Sequence, residues 1–180
     1  AMYHAKEQGR NSYYFFADSM NKDVSRRLAI EEQMHGAIER GEFAVHYQPQ
    51  IDIATGEMIG SEALLRWQNP ALGAIPPTDF IGIAEQTGYI SALGVYVLRQ
   101  AISTNAQWRQ ATGRDMQISV NLSPRQFRDT ELVSTISDLL REHDMPGGCL
   151  ELEITEGLLM AGTPAVNEAL SRFNALGVRI

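Results

Sequence analysis

The chain of 180 residues is 44% hydrophobic and carries 22 acidic against 15 basic side chains, for a formal net charge of −7 and a pI near 5.1. That is enough chain and apolar content for a substantial core, and the acidic balance argues against a protein that grips DNA, RNA or an anionic membrane through bulk charge. A single cysteine, Cys149, excludes an intrachain disulfide and fits a reducing, cytoplasmic compartment; no apolar run approaches the roughly 18 residues of a membrane span, and no signal peptide is expected.

In chain order, Ala1-Met2-Tyr3-His4-Ala5-Lys6 is a helix-like run without N-terminal punctuation. Gly9-Arg10-Asn11 and an aromatic stretch from Tyr13 to Phe16 follow, and the whole reads as the close of a domain. Residues 17 to 40 are expected to be helical, with Leu28, Met34 and Ile38 among abundant charge and Gly41 as the stop; residues 17 to about 30 form an interdomain connector. Strands are expected over 43–53 and 58–67, joined as a hairpin by Ala54-Thr55-Gly56-Glu57, and residues 69–77 are expected to be loop. Thr78 is expected to cap a short helix to Glu85, and a longer helix runs over 91–112, with Leu93, Val97, Leu98 and Ile102 on one stripe and Gly113 at its end. A strand over 117–122, a helix from Ser123-Pro124 to about His143, a strand over 149–155 and a helix over 163–176 follow. Gly177-Val178-Arg179-Ile180 reads as a strand beginning, and Cys149 as a small core residue.

Three of these strands share a pattern of period two. Glu62, Leu64 and Arg66 alternate with Ala63, Leu65 and Trp67; Ser119, Asn121 and Ser123 with apolar partners; Glu151, Glu153 and Thr155 likewise. A solvated antiparallel sheet would alternate in the same way. Helices between the strands favour parallel pairing instead, with helices over the apolar face and the polar faces together on the other. If such a sheet curls into a barrel, Glu62, Asn121 and Glu153 meet at its mouth. Two carboxylates and an amide are hard oxygen donors suited to magnesium or manganese, and without a cation their like charges push one carboxyl toward its neutral form. Such a site suits phosphoester hydrolysis, with Arg66 placed to hold a phosphate or a base edge. An inert Glu-Arg ion network satisfies the same spacing. His46 falls on the face of Gln48, and a lone strand histidine is more often a core residue than a ligand.

Tyr47-Gln48-Pro49, the run Gly60 to Trp67 with Glu62-Ala63-Leu64, Pro77-x-x-Phe80-Ile81-x-x-Ala84-Glu85-x-x-Gly88, Val120-Asn121-Leu122-Ser123 and Leu152-Glu153-Ile154-Thr155-Glu156 together resemble the EAL domain family over about residues 28 to 180. Residues 1 to 16 resemble the closing helix and strand of a GGDEF domain, with residues 17–30 as connector and 31–180 as the N-terminal part of the EAL domain. The resemblance implies an α/β fold, the first half of a modified (β/α)8 TIM-like barrel, from a bacterial signalling protein that hydrolyses cyclic di-GMP to pGpG with two magnesium or manganese ions. It implies Glu62 and Glu153 as catalytic, Glu62, Asn121 and Glu153 as metal ligands, Gln48, Leu64 and Arg66 as substrate contacts, and Glu156 as the brace of a site loop. It also implies an adjoining GGDEF domain as partner, admits a homodimer of the complete domain, and leaves membrane anchoring to other segments of the parent. The family's Asp-Asp-Phe-Gly-Thr-Gly motif is expected just beyond Ile180, so the isolated segment is expected to hydrolyse nothing. The alternative is a non-catalytic cyclic-di-GMP receptor or regulatory module; without the resemblance, another metal-dependent barrel enzyme would stand equally.

Overall fold

The computed structural model describes residues 18–160 and 163–180. The reading of residues 1–16 as the end of a preceding domain lies outside them. Helix α1 (Asp18–Met34) leads into a turn and then the hairpin β1 (Phe43–Ile51) and β2 (Met58–Asn69), with a short β3 (Gly73–Ile75) folded back on β2. Helices α2 (Pro77–Thr87) and α3 (Ile90–Thr112) precede β4 (Gln117–Asn121). Then come α4 (Pro124–Phe127), α5 (Leu132–Glu142), a 3-10 turn at Gly147–Cys149, β5 (Leu150–Glu153), α6 (Glu156–Met160) and α7 (Pro164–Ala175). The sheet runs β1-β2-β4-β5, antiparallel in the hairpin and parallel from β2 through β5. Arg179 bridges Glu151 in parallel, where the next strand was expected. This is a mixed α/β half-barrel, with β1 at one edge of its sheet among the described residues.

The apolar face is covered as the alternation requires. Ala63, Ile118, Val120, Leu150 and Leu152 pack under helices that contribute Leu98, Ile102, Ile136, Leu139 and Phe173, all buried in one cluster. A second cluster joins Phe43, Trp67 and Phe80 to Ile30 and Met34 of α1 and Leu93 of α3. Phe43 stacks on Trp67 at 5.1 Å between centroids, and Phe80 meets Trp67 edge-on at 5.6 Å. Among the described residues no helix is long and apolar enough to cross a membrane.

Several boundaries differ from expectation. α1 ends at Met34, not Arg40, because Gly36 already adopts the left-handed conformation (φ 72°) and turns the chain before Gly41. Leu28 faces solvent at 59% exposure while Ile30 and Ala37 turn inward. β1 stops at Ile51. Pro76 takes the cap position assigned to Thr78, and no side chain caps α2, which runs on to Thr87. The helix expected over 124–143 breaks between Phe127 and Leu132, letting both side chains bury. Cys149 is buried but closes the 3-10 turn and does not open β5. β3 and α6 were not expected.

Ser61 lies on the apolar face of β2, 1% exposed, and its hydroxyl has no hydrogen-bond partner among the described residues. An orphaned buried hydroxyl opposes folding, so Ser61→Ala is expected to stabilise the chain by about 1 kcal/mol. Urea denaturation would measure the gain; a loss of stability would count against this account.

Candidate active site

β1, β2, β4 and β5 place the polar side chains in rows across the face opposite the helix-covered core. Gln48 stands opposite Glu62, Glu62 opposite Ser119, and Ser119 opposite Glu151. One step toward the strand ends, His46 stands opposite Leu64, and Asn121 opposite Glu153. Directly opposed residues project to the same face, so this register gathers Gln48, Glu62, Leu64, Asn121 and Glu153 on one side. Arg66 lies two residues beyond Leu64 on that face. Gln48, His46 and Asn121 are exposed; Glu62, Leu64, Arg66, Glu151 and Glu153 are half-buried.

Local chemistry fixes the strand ends. Immediately after Asn121, Ser123 caps α4 through a capping box: its hydroxyl accepts from the Gln126 backbone N–H at 3.3 Å, and Gln126 Oε1 accepts from the Ser123 N–H at 2.9 Å. The backbone N–H of Leu122 donates to the Glu153 carbonyl at 2.9 Å, tying the end of β4 to that of β5. Glu156 is exposed and opens α6 two residues beyond Ile154.

Asn121 Nδ2 donates to Glu62 Oε1 at 2.7 Å, joining two of the three residues in direct contact. Burial, and then the charges of Glu62 and Glu151, push the Glu153 carboxyl up from its ordinary value. Arg66 Nη1 donates to its neighbour's carbonyl at Leu65 (2.9 Å). No three His, Cys, Asp or Glu side chains among the described residues converge as a metal cage. The donor set here is instead two carboxylates and an amide, and it fits part of the shell of a hard divalent cation, whose charge would relieve the repulsion felt by Glu153.

Because Glu153 holds its proton more tightly in the fold, it weakens stability as pH rises above the carboxylate's ordinary value, and most at neutral pH. Glu153→Gln is therefore expected to stabilise the metal-free chain at pH 7, by under about 1 kcal/mol for this half-buried group, with the advantage gone near pH 4. Thermal unfolding in chelator at the two pH values measures it; a destabilised variant at pH 7 would reverse the sign of the argument.

The sequence identifies Ser119 and Glu151 only as members of the polar faces; the register sets Ser119 opposite Glu62, and Glu151 opposite Ser119.

A family model described as "EAL domain" matches residues 31–180. Over 180 residues the chain is 41% identical to the bifunctional diguanylate cyclase/cyclic di-GMP phosphodiesterase MucR of Pseudomonas aeruginosa, covering 100% of this chain and 26% of MucR. It is 34% identical to the cyclic di-GMP phosphodiesterase PdeR of Escherichia coli, again over 100% of this chain and 27% of PdeR. The chain thus spans about a quarter of the length of these relatives. Its fold superposes on the PaMucR phosphodiesterase in complex with c-di-GMP with a TM-score of 0.79 at 37% identity, over 83% of this chain and 61% of that one.

Proposed function

The chain belongs to the EAL domain family, and we propose that the protein carrying it is a metal-dependent phosphodiesterase that hydrolyses cyclic di-GMP to pGpG in bacterial signalling. The observation that carries this reading is the meeting of Glu62 and Asn121 at 2.7 Å, with Glu153 opposite Asn121, on the face left free of helices. In this reading Glu62, Asn121 and Glu153 hold magnesium or manganese, two ions in the complete domain, and Glu156 braces a site loop. In the same reading residues 1–16 belong to an adjoining GGDEF domain, 17–30 connect, and 31–180 are the N-terminal part of an EAL domain that, when complete, admits a homodimer.

The chemistry supplied at that site on cation binding is polarisation of a phosphoryl group and acidification of a water. Glu62 and Glu153 bring the negative charge that attracts the cation, and Asn121 orients Glu62 through its amide N–H. Arg66 offers the paired donors of its guanidinium to a phosphate or a guanine edge. Gln48, exposed beside Glu62, adds an amide, and Leu64 an apolar surface for a base. Together they hold an anionic dinucleotide over the carboxylates despite the acidic net charge.

The test is chromatographic separation of cyclic di-GMP from pGpG after incubation with the full-length protein and magnesium or manganese, with nucleotide binding measured in parallel. Formation of pGpG is the expected result. Binding without turnover would make the protein a receptor, and absence of both would overturn the reading.

A further inference from the structure

We infer that Ser119 is a positioning residue of this site, its hydroxyl being the donor that holds the Glu153 carboxylate in its metal-ligating orientation. The inference rests on the reading of Glu62, Asn121 and Glu153 as ligands. Ser119 is fully buried at 0% exposure, yet its hydroxyl makes no hydrogen bond with any described residue. Buried hydroxyls almost always have partners, so an orphan calls for a specific cause.

Its place supplies one. Ser119 stands between Glu62 and Glu151 in the middle row of the polar face, two residues before Asn121 and diagonally below Glu153. Glu62 Oε1 is already engaged by the Asn121 amide. The Ser119 hydroxyl shares this face with Glu153, diagonally across the β4–β5 pair, and makes no hydrogen bond with a described residue. A small adjustment of that carboxylate, of the kind that ligation imposes, completes the bond. Ser61 provides the internal contrast: its hydroxyl is equally orphaned, but it lies on the apolar face of β2, opposite Pro49 and Ile118 and on the other side of the strand from Glu62. Partners behind a ligating group fix its orientation, and their loss typically weakens metal affinity about tenfold or more.

The test is Mn²⁺ titration of the full-length protein without nucleotide, by calorimetry or by the free-Mn²⁺ spin-resonance signal, counting only the component abolished by Glu153→Gln. Ser119→Ala is expected to weaken that component about tenfold, and Ser119→Cys, with a similar shape and a weaker donor, to weaken it less. In chelator the Tm of both variants should not fall, because the hydroxyl they lose is unpartnered in the metal-free state. Mn²⁺ affinity within about twofold of the parent in Ser119→Ala, or lost affinity matched by a lower chelated Tm in both variants, would overturn the assignment. If Glu153→Gln abolishes no component, the metal-site reading itself fails, which separates the two failures.

Discussion

Alanine at Glu62 is expected to reduce cyclic-di-GMP hydrolysis by the full-length protein on the order of a thousandfold, seen mainly in kcat at saturating magnesium or manganese. The substitution removes one of two carboxylates from the candidate site and leaves the Asn121 amide without its acceptor, so a second donor loses its orientation. In the proposed reading the remaining half-site, Glu153 with an unanchored Asn121, would not hold a cation in the same place. Stability should move in the opposite sense: Glu62 is one of the charges that press on Glu153, and removing it relieves that repulsion. The expected signature is therefore an inactive protein whose Tm in chelator is unchanged or slightly higher. Arg66→Ala provides the contrast, because a group that contacts substrate and not the reacting centre should raise KM about tenfold and leave much of kcat. Retention of more than about a tenth of the activity by Glu62→Ala would remove it from the catalytic apparatus.

A second large effect is expected far from that face. Glu42 is a carboxylate at 8% exposure, in the turn between α1 and β1. Its Oε2 accepts from Trp67 Nε1 at 2.9 Å and from Asn69 Nδ2 at 2.9 Å, and its Oε1 from Arg40 Nε. Its backbone carbonyl accepts from the Gln68 N–H at 2.9 Å. Asn69 in turn accepts from the backbone of Ala71 and Leu72, which shapes the reversal into β3. One side chain thus ties the turn between α1 and β1 to the end of β2 and holds the indole on which Phe43 and Phe80 pack. Glu42→Ala should destabilise the chain by about 3 kcal/mol, since it leaves the indole and amide donors buried without an acceptor; Glu42→Gln, which keeps one acceptor, should cost about half as much.

The same network predicts an acid limb. The Arg40 hydrogen bond, followed by those of Trp67 and Asn69, holds the Glu42 carboxyl down at about 2, against an ordinary value of 4.5. The folded state therefore binds fewer protons than the unfolded chain between these values. Its contribution is whole above pH 4.5 and fades as pH falls toward 2. Urea denaturation at pH 7 and pH 3 should show a smaller difference between Glu42→Ala and the parent at the lower pH. A difference that is equal at both, or below about 1 kcal/mol at pH 7, would mean the network is not holding the turn.

None of this could be read at Gly41-Glu42, where an acid in a turn looks like a solvated charge. Its acceptors' partners lie 25 and 27 residues away in sequence, and only their approach turns the charge into a structural hub. The end of α1 was hidden for a related reason: Gly36 and Gly41 are equally good stops, and the packing of Ile30, Met34 and Ala37 selects the first. Nothing in residues 128–131 breaks a helix, and the chain departs from one there so that Phe127 can reach Phe173, at 5.7 Å, while Leu132 and Val133 enter the same core. β3 is too short for periodicity to register.

What could be read locally was whatever a strand or cap states within a few residues. The alternation of Glu62, Leu64 and Arg66 with Ala63, Leu65 and Trp67 separates the two faces of β2, because period two is a property of the backbone itself. The interleaving helices imply parallel pairing, Ser123-Pro124 starts a helix and Gly113 ends one. Those signals, with the motifs they carry, were enough for the half-barrel and the family. The site is different in kind: Glu62 and Asn121 are 59 residues apart, and it is the parallel register of β2 against β4 that brings them to 2.7 Å. That same register buries Ser119 between two carboxylates and presses charge onto Glu153. A pattern within one strand says which side chains share a face, whereas distances between strands, and the pKa shifts that depend on them, exist only once the sheet is assembled.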